Sequence, residues 1–152
     1  MSTTDLKIAL YQLCREFILS RIETAETALE QSREASNDDT KSSAGDKFET
    51  TREMMAQDIG RTKGLLADAK QNLQVLEAIV DVTAGDRVRS GNLVYTTQGI
   101  FYISISAGVL KAGSEQAFAI SVLSPVGQMM VGKQVGESFS FNQKEYKITS
   151  IA

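Results

Sequence analysis

Apolar residues in the first half of the chain recur at helical spacing. One series starts at Cys14 and steps by 4, 4, 3 and 4 residues through Ile18, Ile22, Ala25 and Leu29. A second series alternates steps of 4 and 3 residues through Met55, Ile59, Thr62, Leu66, Ala69, Leu73 and Leu76. This is the heptad period of a coiled coil, in which each helix needs a partner along its length. We expect the first helix to span about 5–34, with Thr3 or Thr4 as its cap.

A polar, turn-prone segment at 35–43 separates the two series. The simplest arrangement is an antiparallel coiled-coil hairpin over 1–84 with its tip near 35–49. Each arm is then about 30 residues and about 45 Å long. Gly60 and Gly64 interrupt the second arm and weaken it by ~1 kcal/mol each relative to alanine. They are interpreted as tolerated, or as a site of close helix approach.

From Gly85 onward, glycines punctuate short runs with the alternation of strands. The predicted strands are 87–89, 93–97, 100–105, 118–123, 138–141 and 146–151. Ser124 followed by Pro125 predicts a short helix that ends at Gly132, because serine caps helices and proline favours the first helical position. The expected fold class is α+β, with the hairpin followed at 85–152 by a small antiparallel sheet domain with one short helix.

Composition excludes several kinds of chemistry. The chain has no histidine, which removes histidine-based catalysis and histidine metal ligands. Cys14 is the only cysteine, which fits a reducing, cytoplasmic setting. Residues 2–7 lack the pattern of a signal peptide. Residues 90–110 carry no charge, but their alternation favours a buried strand over a membrane span.

The net charge of −3 is unevenly distributed. Residues 1–84 contain 10 basic and 15 acidic side chains, whereas residues 85–152 contain 6 and 4. Autonomous DNA binding normally needs a concentrated basic face, and the pattern shows none. The six basic residues of the second part are either scattered solvated side chains or a mildly positive face for an acidic partner; they are Arg87, Arg89, Lys111, Lys133, Lys144 and Lys147.

Asp46 and Glu49 lie three residues apart at the expected start of the second helix. This spacing is that of a capping box, in which Asp46 accepts a backbone N–H and Glu49 reaches back to the cap. Residues three apart also share one helix face, so the two carboxylates are equally arranged to share a metal ion. Mg²⁺ takes six oxygens, and two carboxylates would leave it incomplete without a partner.

Two segments resemble the bacterial Gre transcript cleavage factors. Residues 43–49, Ser-Ala-Gly-Asp-Lys-Phe-Glu, are similar to the family's hairpin-tip motif Gly-Asp-x-x-Glu-Asn-Ala-Glu-Tyr. Residues 120–137, with Ser124-Pro125 and Gly132-Lys133, are similar to its Ser-Pro…Gly-Lys…Gly-Asp stretch. The predicted coiled-coil hairpin contains the first segment and precedes the second. The resemblance therefore covers nearly the whole sequence in the family's order.

The resemblance implies a function in transcription elongation. Family members dock an FKBP-like C-terminal domain on bacterial RNA polymerase and insert the hairpin into its secondary channel. Asp46 and Glu49 would then help to hold Mg²⁺ in the polymerase active centre and stimulate cleavage of backtracked RNA. The protein would itself be no enzyme, would hold no metal when free, and would contact nascent RNA only indirectly. It is expected to be a monomer with no membrane partner.

The chain departs from the family motif on both sides of Glu49. Thr50-Thr51-Arg52-Glu53 replaces Asn-Ala-Glu-Tyr, and Lys47 occupies a position that is usually leucine. A secondary-channel regulator without cleavage activity and a coiled-coil scaffold are therefore the alternative functions.

Two further sets of residues have open interpretations. Asp38 and Asp39 are either solvated turn residues or extra tip acids. The expected polymerase-docking residues are Ser124, Pro125, Met129 and Met130, for which helix capping and core packing are the structural alternative.

Overall fold

The computed structural model describes residues 2–41 and 46–152, and it describes side chains for 2–35 and 50–152. Two long helices open the chain: α1 spans Thr3–Lys41 and α2 spans Asp46–Ala78. Helix α1 therefore continues past the predicted end at residue 34, through much of the segment expected to be a turn. The second part of the chain is a six-stranded sheet with one short helix. The architecture is α+β.

The heptad positions are the buried positions of both helices. On α1, four of the five predicted positions, Cys14, Ile18, Ala25 and Leu29, are less than 9% exposed, and the fifth, Ile22, is partly buried. On α2, each of the seven predicted positions from Met55 to Leu76 is at least partly buried, and its neighbours are exposed. The predicted seam is confirmed on each helix.

Contacts divide the chain into two compact units, one of which is Ile18–Leu73. The described elements of this unit are parts of α1 and α2 only. The grouping of these two helical segments into one compact unit supports the expected pairing of a helical hairpin.

The other unit combines Met1–Phe17 with Gln74–Ala152 and contains the sheet. Its strands are β1 (Leu93–Thr96), β2 (Gly99–Ile103), β3 (Gly108–Ala112), β4 (Glu115–Ile120), β5 (Ser138–Phe141) and β6 (Lys144–Ile151). Helix α3 spans Pro125–Met130. The strand order is β3-β4-β2-β1-β6-β5, with β3 and β5 at the edges.

The sheet is mixed, so the expectation of a purely antiparallel sheet is wrong. Strand β4 runs parallel to β2, with Phe101 opposite Phe118, and every other pairing is antiparallel. The reason is β3, which the sequence pattern missed because most of its side chains face solvent. Strand β3 lies between β2 and β4 in the sequence, although not in the sheet. It adds one more reversal of the chain direction, so β4 runs parallel to β2.

The predicted strand at 87–89 does not form either. The Val88 amide donates to the Lys133 carbonyl at 2.9 Å, and the Val88 carbonyl accepts from the Gly132 amide at 2.9 Å. These two hydrogen bonds connect an irregular segment to the residues that follow α3. Val88 is 1% exposed, whereas Arg87 and Arg89 on either side are exposed. The alternation at 87–89 therefore reflects the burial of Val88, although the segment is not a strand.

Aromatic and aliphatic side chains from the strands, from α3 and from the irregular segment at Val88 form the core of the sheet unit. Its buried members are Val88, Val94, Phe101, Ile103, Met130, Phe139 and Ile148. Phe139 stacks on Tyr146 with 5.0 Å between ring centroids. The two-residue turn between β5 and β6 places Asn142 and Gln143 at φ 51° and 66°, the left-handed geometry that suits a tight hairpin.

The first turns of α1 also belong to the sheet unit. Leu6, Leu10 and Cys14 are buried there, and the Cys14 thiol lies 3.7 Å from the Ser104 hydroxyl just beyond β2. Burial raises the pKa of the Cys14 thiol to about 11, although the Ser104 hydrogen bond acts in the opposite direction.

Candidate functional site

The two predicted tip carboxylates lie at the start of α2. Asp46 is the first residue of the helix and Glu49 is the fourth, so both backbones belong to its first turn. Their side chains lie outside the described residues, as do those of Asp38 and Asp39. Asp38 and Asp39 have helical backbone within α1, whereas a turn was expected there.

Metal ligation requires several converging donors. Among the side chains that are described, no three His, Cys, Asp or Glu residues are grouped as a metal site. The residues that replace the family pattern after Glu49 lie in α2, and Thr51, Arg52 and Glu53 are solvent-exposed.

Helix α3 is held by the residues just before it. The Ser124 hydroxyl accepts a hydrogen bond from the Gly127 amide at 3.1 Å and donates to the Ser121 carbonyl at 2.7 Å. Ser124 is thus the N-cap and Pro125 occupies the first turn, as predicted from the sequence. The Gln128 side chain adds a hydrogen bond to the Leu123 carbonyl at 3.1 Å. Together these contacts fix the short helix against the loop.

The four predicted docking residues are not equivalent in the structure. Met130 is 0% exposed and belongs to the core, so its side chain is unavailable to a partner. Met129 is 36% exposed, and Pro125 also faces solvent. Ser124 is partly buried and is engaged in capping. A surface role is therefore open to Pro125 and Met129, and Met130 has a structural one.

Three further apolar residues beside α3 are exposed and were missed by sequence reasoning. Leu123 is 79% exposed, Val131 is 42% exposed and Val135 is 56% exposed. Together with Pro125 and Met129 they make up a set of exposed apolar residues within 123–135, which we call the α3 surface. The sequence pattern placed Leu123 in the predicted strand 118–123 and Val131 in the predicted short helix, and it gave no separate signal that either side chain is exposed.

Two basic residues lie close to the end of α3. The Arg87 guanidinium donates to the Gly132 carbonyl at 2.7 Å, directly after α3, and Lys133 is the next residue. Lys111 lies on β3 at one edge of the sheet, whereas Lys144 and Lys147 lie on β6 near the other edge. The six basic residues of this part of the chain therefore do not make one basic face.

Comparisons with known proteins do not assign the chain to a family. No protein-family model matches it. No curated protein matches it either. Across the described residues, no helix is both long and apolar enough to cross a membrane.

Proposed function

We propose that the protein is a Gre-like transcription elongation factor that binds bacterial RNA polymerase and inserts its helical hairpin into the secondary channel. The observation that carries the proposal is the order of elements: paired acids in the first turn of α2, followed by a sheet unit with a Ser124-Pro125-capped helix. The six-stranded mixed sheet with one short helix supports an FKBP-like assignment of that unit.

The α3 surface is the proposed docking surface. Five apolar residues in one short helix or close to it in sequence are exposed to solvent. Exposed apolar residues grouped in this way are typical of protein-interaction sites. Arg87 and Lys133 at its border favour a partner element that carries acidic residues.

Asp46 and Glu49 are the proposed metal-orienting residues within the complex. Carboxylate oxygens are the ligands that Mg²⁺ prefers, and both residues occupy one helical turn, so this donor set fits a shared Mg²⁺ ion. When bound, the metal would activate water for cleavage of backtracked RNA. The role of this chain is to bring two anionic oxygens to the polymerase on a rigid helix.

The replacement of the family pattern after Glu49 favours a second candidate, a secondary-channel regulator that inhibits or modulates synthesis without cleavage. Arg52 is exposed and follows Glu49 by three residues on α2, a spacing that would bring a cation near the proposed metal-orienting pair. A cation at this position competes with a metal ion for the same carboxylates.

Stalled, backtracked elongation complexes of the host polymerase separate these functions. RNA shortening and polymerase binding are followed together with the wild-type protein, Asp46→Asn and Glu49→Gln. We expect each substitution to lower the cleavage rate about tenfold or more and to leave polymerase binding unchanged. Substitution of groups that surround a bound metal commonly lowers metal affinity or activity by about 10–100-fold. Glu53→Gln is the matched control, because it removes the same charge from an exposed site one turn further along α2.

Docking is tested on the same complexes. Leu123→Glu is expected to weaken polymerase binding about tenfold or more, because it places a charge in the apolar surface. Val109→Glu is its control, since Val109 is 50% exposed on the edge strand β3. Binding with inhibition and without cleavage would establish the regulator. Absence of binding would exclude both functions and leave a coiled-coil scaffold.

A further inference from the structure

A cavity of about 570 Å³ lies in the sheet unit, beside the start of α1. Its walls come from the first three turns of α1, from residues 80–84, from Tyr102 on β2 and from Ala152. All of these residues belong to the same compact unit. The volume lies in the range of small-molecule sites, about 300–1,000 Å³.

The cavity has an apolar wall that is in contact with water. Ile8 is 57% exposed and Val80 is 53% exposed, and both line the cavity together with Val82 and the Tyr11 ring. Burial of exposed aliphatic side chains is favourable, so this wall favours a ligand with a hydrocarbon or aromatic portion.

Lys7 supplies a cation at the same cavity. Its ammonium donates to the Val82 carbonyl at 2.6 Å, and among the described residues no carboxylate lies within ion-pair distance of it. An ammonium has three donors, so this one retains capacity for a further acceptor. Burial lowers the pKa of Lys7, and the nearby positive charge of Arg89 lowers it further. The negative charge of a bound anion would act in the opposite direction and raise the pKa of Lys7.

Asp81 also lines the cavity and has the opposite charge. Its side chain is exposed, whereas Lys7 is partly buried. Because water screens an exposed charge more effectively than a partly buried one, Lys7 dominates the recognition of a charged ligand.

The rim of the cavity is held in place by Asn92, whose side chain is completely buried. Its amide nitrogen lies 3.4 Å from the Thr83 carbonyl and 3.3 Å from the Ala152 carbonyl, and it donates to both. Arg89 donates to the same Thr83 carbonyl at 3.0 Å. Thr83 and Ala152 both line the cavity, so this network fixes two of its walls before any ligand arrives.

We propose that this cavity is a binding site for a small amphipathic organic anion. The carboxylate or equivalent group accepts from Lys7, and the apolar portion lies on Ile8, Tyr11, Val80 and Val82. This site shares no residue with the α3 surface or with the pair Asp46 and Glu49, and its test does not depend on polymerase.

Octanoate and 1-octanol are the probes, because they share an alkyl chain and differ in charge. Each is titrated into the full-length protein, and backbone amide shifts are followed by NMR. We expect saturable octanoate binding with shifts at Lys7, Ile8, Val82 and Thr83. Lys7→Met should weaken octanoate about tenfold, the order expected for a lost hydrogen bond to a charged group, and change octanol less than about twofold. Lys144→Met removes an exposed cation on β6 and should leave both affinities unchanged.

Ile8→Ser tests the apolar wall independently of the charge. Because Ile8 is largely exposed, this variant keeps the buried core and should weaken octanoate and octanol together. The proposal is overturned if octanoate shows no saturable binding, if the shifts map elsewhere, or if Lys7→Met binds octanoate as tightly as the wild type.

Discussion

A Cβ atom added to Gly127 would lie 2.1 Å from the carbonyl oxygen of Ser121, well inside contact distance. That carbonyl also accepts from the Ser124 hydroxyl and the Ser124 amide. The glycine is therefore required by close packing of α3 on the loop before it.

Gly127→Ala should for this reason destabilise the sheet unit. Either the helix or the loop must move, at a cost of about 1–3 kcal/mol for an overpacked site. Urea unfolding followed by tyrosine fluorescence measures the change. A variant with wild-type stability would mean that the loop gives way without cost.

Gly64→Ala should have the opposite effect. Among the residues that the structure describes, nothing lies within 4 Å of a Cβ added to Gly60 or Gly64, so the interpretation of these glycines as a site of close helix approach is wrong. Alanine should stabilise α2 by ~1 kcal/mol at each site, because glycine is the poorer helix former. Thermal unfolding followed by circular dichroism at 222 nm provides the measurement, and a lower midpoint would contradict the prediction.

Asn92→Asp should be strongly destabilising. The new carboxylate keeps an acceptor for the Arg89 amide, which donates to Oδ1 at 2.8 Å, but it cannot donate to Thr83 and Ala152 when ionised. The second oxygen of the new carboxylate would then face two acceptor oxygens and have no donor. A buried polar group without a partner costs about 1–3 kcal/mol, and more when it is charged. Burial would raise the pKa of the new carboxyl, so the loss of stability should grow as the pH rises from 4 to 7.

Denaturant unfolding at several pH values checks this result. Asn142→Asp is the matched control, because Asn142 lies in an exposed turn at φ 51°, which aspartate tolerates. A variant of Asn92 that unfolds at the same urea concentration as the control would show that the network contributes little.

The buried thiol of Cys14 makes stability depend on pH in alkaline solution. Its pKa is raised from 9.0 to about 11 by burial. The unfolded chain then loses the thiol proton first, so this contribution to stability is complete below pH 9 and is lost as the pH rises towards 11. Cys14→Ala lacks this titration, and its unfolding midpoint should fall less steeply between pH 9 and 11.

Modification kinetics provide a second measurement for the same residue. Thiolate is the reactive form, so a disulfide reagent at pH 8 should modify native Cys14 only at the rate at which the site opens. Rapid modification of the native protein, comparable to that in 8 M urea, would contradict the burial of this side chain.

The helices and the α3 cap were accessible from the sequence. The heptad series predicted which positions of α2 are buried, and Ser124-Pro125 predicted both the start of α3 and its capping residue. These features depend on interactions between residues that are near in sequence or repeat at a regular spacing. Local patterns record such interactions directly.

The topology of the sheet and the surfaces around it were decided only by tertiary structure. Strand β3 has an exposed pattern, so only its pairing with β4 identifies it, and that pairing makes β4 parallel to β2. Met129 and Met130 are adjacent in sequence, yet one is partly exposed and the other is in the core. The cavity beside Lys7 is likewise assembled from segments more than 70 residues apart. Pairing and burial depend on distant parts of the chain, which no local pattern specifies.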